Sequence, residues 1–111
     1  MTGSLTAVGL SSSTASDYNN LKLISSNSNG NVGIQFLQNQ ASYYNWRIDA
    51  QGSVANGIAF VPATTTGSGT TFTTPVFTVY QSGYVGVNMG TSALSYNLHV
   101  SGTGYFSGSL T

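Results

Sequence analysis

The chain has no cysteine and no glutamate, and only four charged side chains, Lys22, Arg47, Asp17 and Asp49, in 111 residues. Each shortage excludes something. Without cysteine there is neither a disulfide framework nor a thiolate metal site. One Lys and one Arg cannot build the cationic footprint from which nucleic-acid binding draws most of its affinity, nor a basic patch for anionic lipid. The formal net charge is zero with His99 neutral, so solubility does not come from charge. Apolar runs are only a few residues long, which argues against membrane insertion, and the first residues lack a basic segment followed by an apolar one. None of the ten Asn residues opens an Asn-x-Ser/Thr sequon.

What is present is hydroxyl, amide and glycine. Ser, Thr, Asn, Gln and Gly make up 60 of the 111 residues, yet 40% of the chain is hydrophobic and 12% aromatic. These apolar residues are spread along the whole length, which predicts a folded chain rather than a polar tail. The length suits a single β-rich module: residues 1–20 as a connecting segment, 21–100 as the sheet body and 101–111 as a second connecting segment.

Gly, Ser, Thr and Asn break the chain too often for helices, whereas short runs of period two recur between turn residues. Leu21 and Leu23 alternate with Lys22, and Val32, Ile34 and Phe36 with Gly33 and Gln35. Tyr44, Trp46 and Ile48 alternate with Asn45 and Arg47, and Ile58 and Phe60 with Ala59. Phe77 and Val79 form another run, as do Val85, Val87 and Met89, and then Tyr96, Leu98 and Val100. Asn29-Gly30, Gln51-Gly52, Asn56-Gly57, Ser82-Gly83 and Ser101-Gly102 supply residues that accept the positive φ of tight turns. The expectation is an all-β antiparallel meander or sandwich, with residues 62–71 as a low-complexity loop. Pro75 should divide the run 70–80 or place it at an edge. Strand edges are usually blunted by charge, and this chain has almost none, so copies of the chain are expected to cover them.

Two segments, Gly30-Asn31-Val32-Gly33-Ile34 and Gly83-Tyr84-Val85-Gly86-Val87, share the pattern Gly-x-Val-Gly-(Ile/Val). The second continues through Asn88-Met89-Gly90-Thr91 to Asn97-Leu98-His99-Val100-Ser101-Gly102 and Gly104-Tyr105-Phe106-Ser107-Gly108. Over about residues 70–109 this resembles the G-N-V-G-I-G-T-x-x-P-x-x-K-L-x-V-x-G motif, often followed by G-x-x-x-F-S-G, of bacteriophage tail fibres and related viral fibre proteins. Asn88-Met89 stands where that family commonly has a single Gly, Leu94 where it has Pro, and Asn97 where it has Lys. The resemblance implies a homotrimeric β-rich shaft in a virion or extracellular setting, with other virion proteins as neighbours. In the family such a segment sometimes precedes a self-cleaving chaperone that uses Ser and Lys; Lys22 is the only lysine here and lies in a different context. Gly3-Ser4-Leu5-Thr6 returns as Gly108-Ser109-Leu110-Thr111. One reading is a head-to-tail array with a period of 105 residues; the other is two unrelated polar strand ends.

The inventory for catalysis is nearly empty, and no Gly-x-Ser-x-Gly elbow occurs, so no enzyme and no cofactor are expected. A hydrolase of surface polysaccharide relying on Asp49 is the least favoured function. His99 has no second ligand near it in sequence; either it is a hydrogen-bonded or solvent-facing residue, or three copies meet around an ion on a threefold axis. Tyr43, Asn45, Trp46, Arg47 and Asp49 form the one candidate glycan-contact set, with Tyr43, Asn45, Arg47 and Asp49 outward. The favoured reading is a plain strand with Tyr44, Trp46 and Ile48 in the core and that polar face outside. Tyr84, Tyr96, Tyr105 and Phe106 are candidates for an oligomer interface, aromatics being enriched there, or for an intrachain core. The function expected is a structural, self-assembling component of a viral fibre or virion appendage, with a bacteriophage as the favoured source and host attachment as a contribution. The alternatives are a carbohydrate-binding receptor module reading a host-surface glycan, or a self-assembling extracellular filament subunit.

Overall fold

The chain spaces its strand formers at period two and separates them with residues tolerant of left-handed backbone, and six strands result. In a computed structural model, residues 23–25, 28 and 30–109 are described. They form β1 (Val32–Phe36), β2 (Tyr44–Ala50), β3 (Gly57–Thr66), β4 (Phe77–Tyr80), β5 (Val85–Val87) and β6 (Leu98–Val100). There is no helix among the described residues. All six strands belong to one sheet in sequential order. The first four pairings are antiparallel, as a meander requires, and β6 lies parallel to β5.

The all-β expectation holds, and of the two expected arrangements the described strands follow the meander, in a single sheet. The difference of detail is that this sheet is mixed and not purely antiparallel. The parallel final pair follows from the connection 88–97: Asn88 takes φ 55° and Gly90 φ 60°, which ends β5 before Met89. The chain then crosses over the sheet and returns in the same direction, so Tyr96 falls outside β6.

Turn chemistry is where expected in kind. Gln51 (φ 64°), Asn56 (φ 59°) and Gly83 (φ 86°) hold left-handed conformations at the β2–β3 and β4–β5 connections. Asn29 and the Leu21–Lys22 run lie outside the described residues. The supposed loop 62–71 is in its first half strand, since β3 runs to Thr66. Three consecutive β-branched Thr residues favour an extended chain, and Pro62, which lacks an N–H, is followed by the bulge that shifts register between Trp46↔Pro62 and Tyr44↔Thr66. Pro75 divides the later run as expected: Phe72 makes an isolated bridge to Ala63, and β4 starts at Phe77.

The covered core is thin. The fully buried hydrophobic residues are Val54, Ala59, Val61 and Ala63, with Phe72 and Tyr80 packed beside them. They lie on one face of the sheet, where small residues let connecting segments approach closely. A Cβ at Gly86 would sit 2.7 Å from Thr78 Oγ1 and 3.0 Å from Leu94 Cδ2, so the β5–β6 crossover rests directly on that glycine. Gly33 in the other copy of the motif is similarly tight, 3.1 Å from the Ile48 carbonyl oxygen. Gly86→Ala is therefore expected to cost about 1–3 kcal/mol by overpacking. Gly108→Ala, with nothing within 4 Å, is expected to cost far less. Urea unfolding of the two variants checks this, and equal losses would refute it.

Candidate functional site

Register decides which side chains share a face, because directly paired residues point the same way. One row runs Val32, Ala50, Ile58, Val79, Val85, Leu98 across all six strands. The next runs Ile34, Ile48, Phe60, Phe77, Val87, Val100, and a third Phe36, Trp46, Pro62. Every member is apolar. Phe60 and Phe77 meet edge to face at 5.5 Å in the middle of this surface. Nothing described covers it: Ile34, Phe36, Tyr44, Trp46, Ile58, Val79, Leu98 and Val100 are each 37–54% exposed.

The opposite face carries Gly33, Asp49, Ala59, Thr78, Gly86 and His99 in one row and Gln35, Arg47, Val61 in the next. This is the face that the loops cover. The expected orientation of β2 is thus reversed: Asn45 and Asp49 are buried while Tyr44 and Trp46 are exposed. The physical reason is bulk. The loops fold onto the face whose cross-strand neighbours are Gly and Ala, and the short polar side chains of β2 are anchored there by hydrogen bonds.

Those bonds are specific. Asn45 Oδ1 accepts from Gln38 N at 2.8 Å and its Nδ2 donates to the Gly69 carbonyl at 2.7 Å, joining two loops. Asp49 Oδ1 accepts from Ser53 N (2.8 Å), and Oδ2 accepts from Arg47 Nε and Ser53 Oγ (both 2.8 Å). Arg47 Nη2 donates to Ser53 Oγ at 3.1 Å, and its guanidinium carbon lies 4.8 Å from the Phe72 ring centroid. A Cβ at Gly52 would stand 2.9 Å from Asp49 Oδ1, so the loop needs glycine there. A recess of about 260 Å³ bordered by Asn31, Gln35, Arg47 and Asp49 opens beside this cluster. Chemically the cluster is a clamp, since both oxygens of the carboxylate are already engaged within the chain.

The glycan set proposed from sequence is consequently divided. Asn45, Arg47 and Asp49 serve the covered face, whereas Trp46 and Tyr43 border a shallow groove of about 460 Å³ with Ser42, Tyr44, Pro62 and Ala63 at the bulged end of the β2–β3 pair. Of the four aromatic interface candidates, Tyr96, Tyr105 and Phe106 are exposed and do not enter an intrachain core, and Tyr84 is half-buried. Tyr96 stacks edge to face on His99 at 5.6 Å. His99 is half-buried, and its Nδ1 and Thr78 Oγ1 are shielded from solvent with no hydrogen-bond partner. Among the described residues no three His, Asp or Glu side chains gather. The rows of Ile, Val, Leu and Phe were legible run by run; what the sequence lacked was their alignment into one surface.

No protein-family model matches the chain, and no curated protein matches its sequence.

Replacing Asp49 by Asn keeps its shape but removes the charge that Arg47 and two Ser53 groups address. Arg47 is partly exposed, so water softens the loss. Asp49→Asn is expected to lower unfolding free energy by about 1–3 kcal/mol, with little change on Ser82→Ala in the exposed β4–β5 turn as a control; thermal unfolding reports both.

Proposed function

We propose that the chain is a structural building block of a bacteriophage or comparable viral fibre, assembling as a homotrimer and acting outside the cell as part of a virion appendage. The observation that carries this reading is the continuous apolar face of all six strands. Its eight most exposed side chains leave on the order of 700 Å² uncovered, above the ~300–600 Å² of the largest patch on a typical monomer and near the ~800 Å² per partner of a standard interface. The face carries no charge, so nothing on it selects a charged partner. Among the described residues, four small buried hydrophobic side chains make a poor core for one sheet, and a second layer supplied by copies completes it. The resemblance of residues 70–109 to viral fibre motifs supports the trimer and the virion setting. A chemical role finds little support, because the Arg47–Asp49 ion pair, the only one among the described residues, is spent on holding a loop.

Native mass measurement is expected to give a homo-oligomer little affected by salt, because screening acts on charge and the contact is apolar. Ile58→Asp places a charge at the centre of the face. It is expected to weaken association by a hundredfold or more, about 3 kcal/mol, while Ser82→Asp in the exposed β4–β5 turn, away from that face and from both sheet edges, leaves it unchanged. A chain that is monomeric at micromolar concentration before any substitution would overturn the proposal.

One observation favours a second reading, a carbohydrate-binding module. The groove of Tyr43, Tyr44, Trp46 and Pro62 offers aromatic faces of the kind on which sugar rings stack, at the end of the sheet. On that reading a glycan array gives a hit that Trp46→Ala removes without loss of the far-ultraviolet signature of the sheet. The absence of any hit with the unsubstituted protein rejects it.

A further inference from the structure

The face accounts for one surface of the sheet and leaves its two edges. We propose that β6 of one copy pairs with β1 of the next, in parallel and in register, so that the sheet continues from chain to chain around the assembly. This rests on the self-assembly reading above and adds which backbone edges meet.

Direction comes first. β1, β3 and β5 run the same way, because each is antiparallel to the strand between them, and β6 is parallel to β5. β6 and β1 therefore run the same way at opposite ends of the sheet. Rotation about an axis along the strands brings the β6 edge of one copy beside the β1 edge of its neighbour. That contact is head-to-tail, and a ring of such contacts closes.

Backbone groups come next. Val85 N donates to the Asn97 carbonyl at 2.8 Å and Ser101 N to the Val87 carbonyl at 3.0 Å. In a parallel ladder the residues facing a given neighbour alternate, so Asn97, His99 and Ser101 serve β5. The N–H and C=O groups of Leu98 and Val100 then point to the far edge. Neither β6 nor β1 carries a charged side chain, and among the described residues no strand pairs with their outer sides, although the segment 23–25 lies beside the Asn31–Gly33 end of β1. Such an edge is a template for pairing rather than a protected margin.

Side chains fix the register. β6 already aligns Leu98 with Val85, His99 with Gly86 and Val100 with Val87. The same three residues fit β1 with Leu98 beside Val32, His99 beside Gly33 and Val100 beside Ile34. Both apolar rows then run unbroken from one copy to the next, and His99 stands between two glycines. A slip of one residue would put Val100 on the face of Gly33 and break both rows.

The chain has no cysteine, so an engineered pair is read without background. Aligned strand residues lie within disulfide range. Under mild oxidation Ile34→Cys/Val100→Cys is expected to run as covalent oligomers on a denaturing gel, with each single variant running as monomer. The unsubstituted protein provides an independent reading by hydrogen exchange. The amides of Leu98, Val100, Gly33 and Gln35 are expected to exchange at least about 100-fold more slowly than an unstructured chain. An oligomer by native mass in which the double variant forms no intermolecular bond and the Leu98 and Val100 amides exchange freely overturns the edge pairing alone. Protection of Gly33 and Gln35 without protection of Leu98 and Val100 also overturns it, since residues upstream of Leu23 would then be the cover. A monomer by native mass overturns the self-assembly reading as well.

Discussion

The whole arrangement depends on keeping large and small side chains on opposite faces of one pleated sheet. Residues of β1 to β6 alternate, and the pairings align the alternation, so Ile, Val, Leu and Phe collect on one side and Gly, Ala, Thr and Val61 on the other. A single residue of slip in any strand would exchange the two sets. The small face admits the chain's own loops: Leu94 rests on Gly86, and Val54 on Gly57. Among the described residues no loop covers the large face, whose Ile34, Phe36, Trp46, Ile58 and Leu98 stay exposed. The same alternation therefore produces both the thin covered core and the broad uncovered one.

Charge follows the same logic. Among the described residues Arg47 and Asp49 are the only charged side chains, and they point into the small face, where they pair. Burying an ion is costly unless its partners are in place, and here Ser53, Phe72 and the tight Gly52 turn provide them. The result is a local lock on the β2–β3 connection. Asn45 plays the corresponding part without charge, joining the segments at Gln38 and Gly69. The large face and both edges are left with no electrostatic defence, and the hydrophobic effect decides what they meet.

Much of this was legible in the sequence and some was not. Period two in Val32–Phe36 or Ile58–Phe60 reads directly as strand, and Pro75 reads as a break, because those signals are local. Which side of β2 is covered is not local. Tyr44, Trp46 and Ile48 have the composition of a core, and only the identity of the residues beside them, Ala59 and Gly33 next to Asp49, shows that the loops belong on the other side. The parallel return of β6 was equally hidden, since it depends on Asn88 and Gly90 turning the chain across the sheet. Of the candidate glycan residues, the sequence placed all five on one strand and its flank, but pleating separates Trp46 from Asn45, Arg47 and Asp49.

The aromatic end of the large face shows how one surface carries two competing uses. Trp46 belongs to the row Phe36, Trp46, Pro62 and also borders the groove with Tyr43 and Tyr44. A copy seated over the full face would cover Trp46 and leave Tyr43 at the rim, where an amphipathic ring is well placed for a wet boundary. The bulge after Pro62 shifts the β2–β3 register at this point, so the regular alignment of rows ends at the third. On the proposed self-assembly, the two rows spanning six strands are the part that a copy would cover. The bulged end beyond them holds the aromatic groove, whose lining offers hydroxyls and ring faces and no charged side chain, the chemistry that the carbohydrate-binding alternative requires.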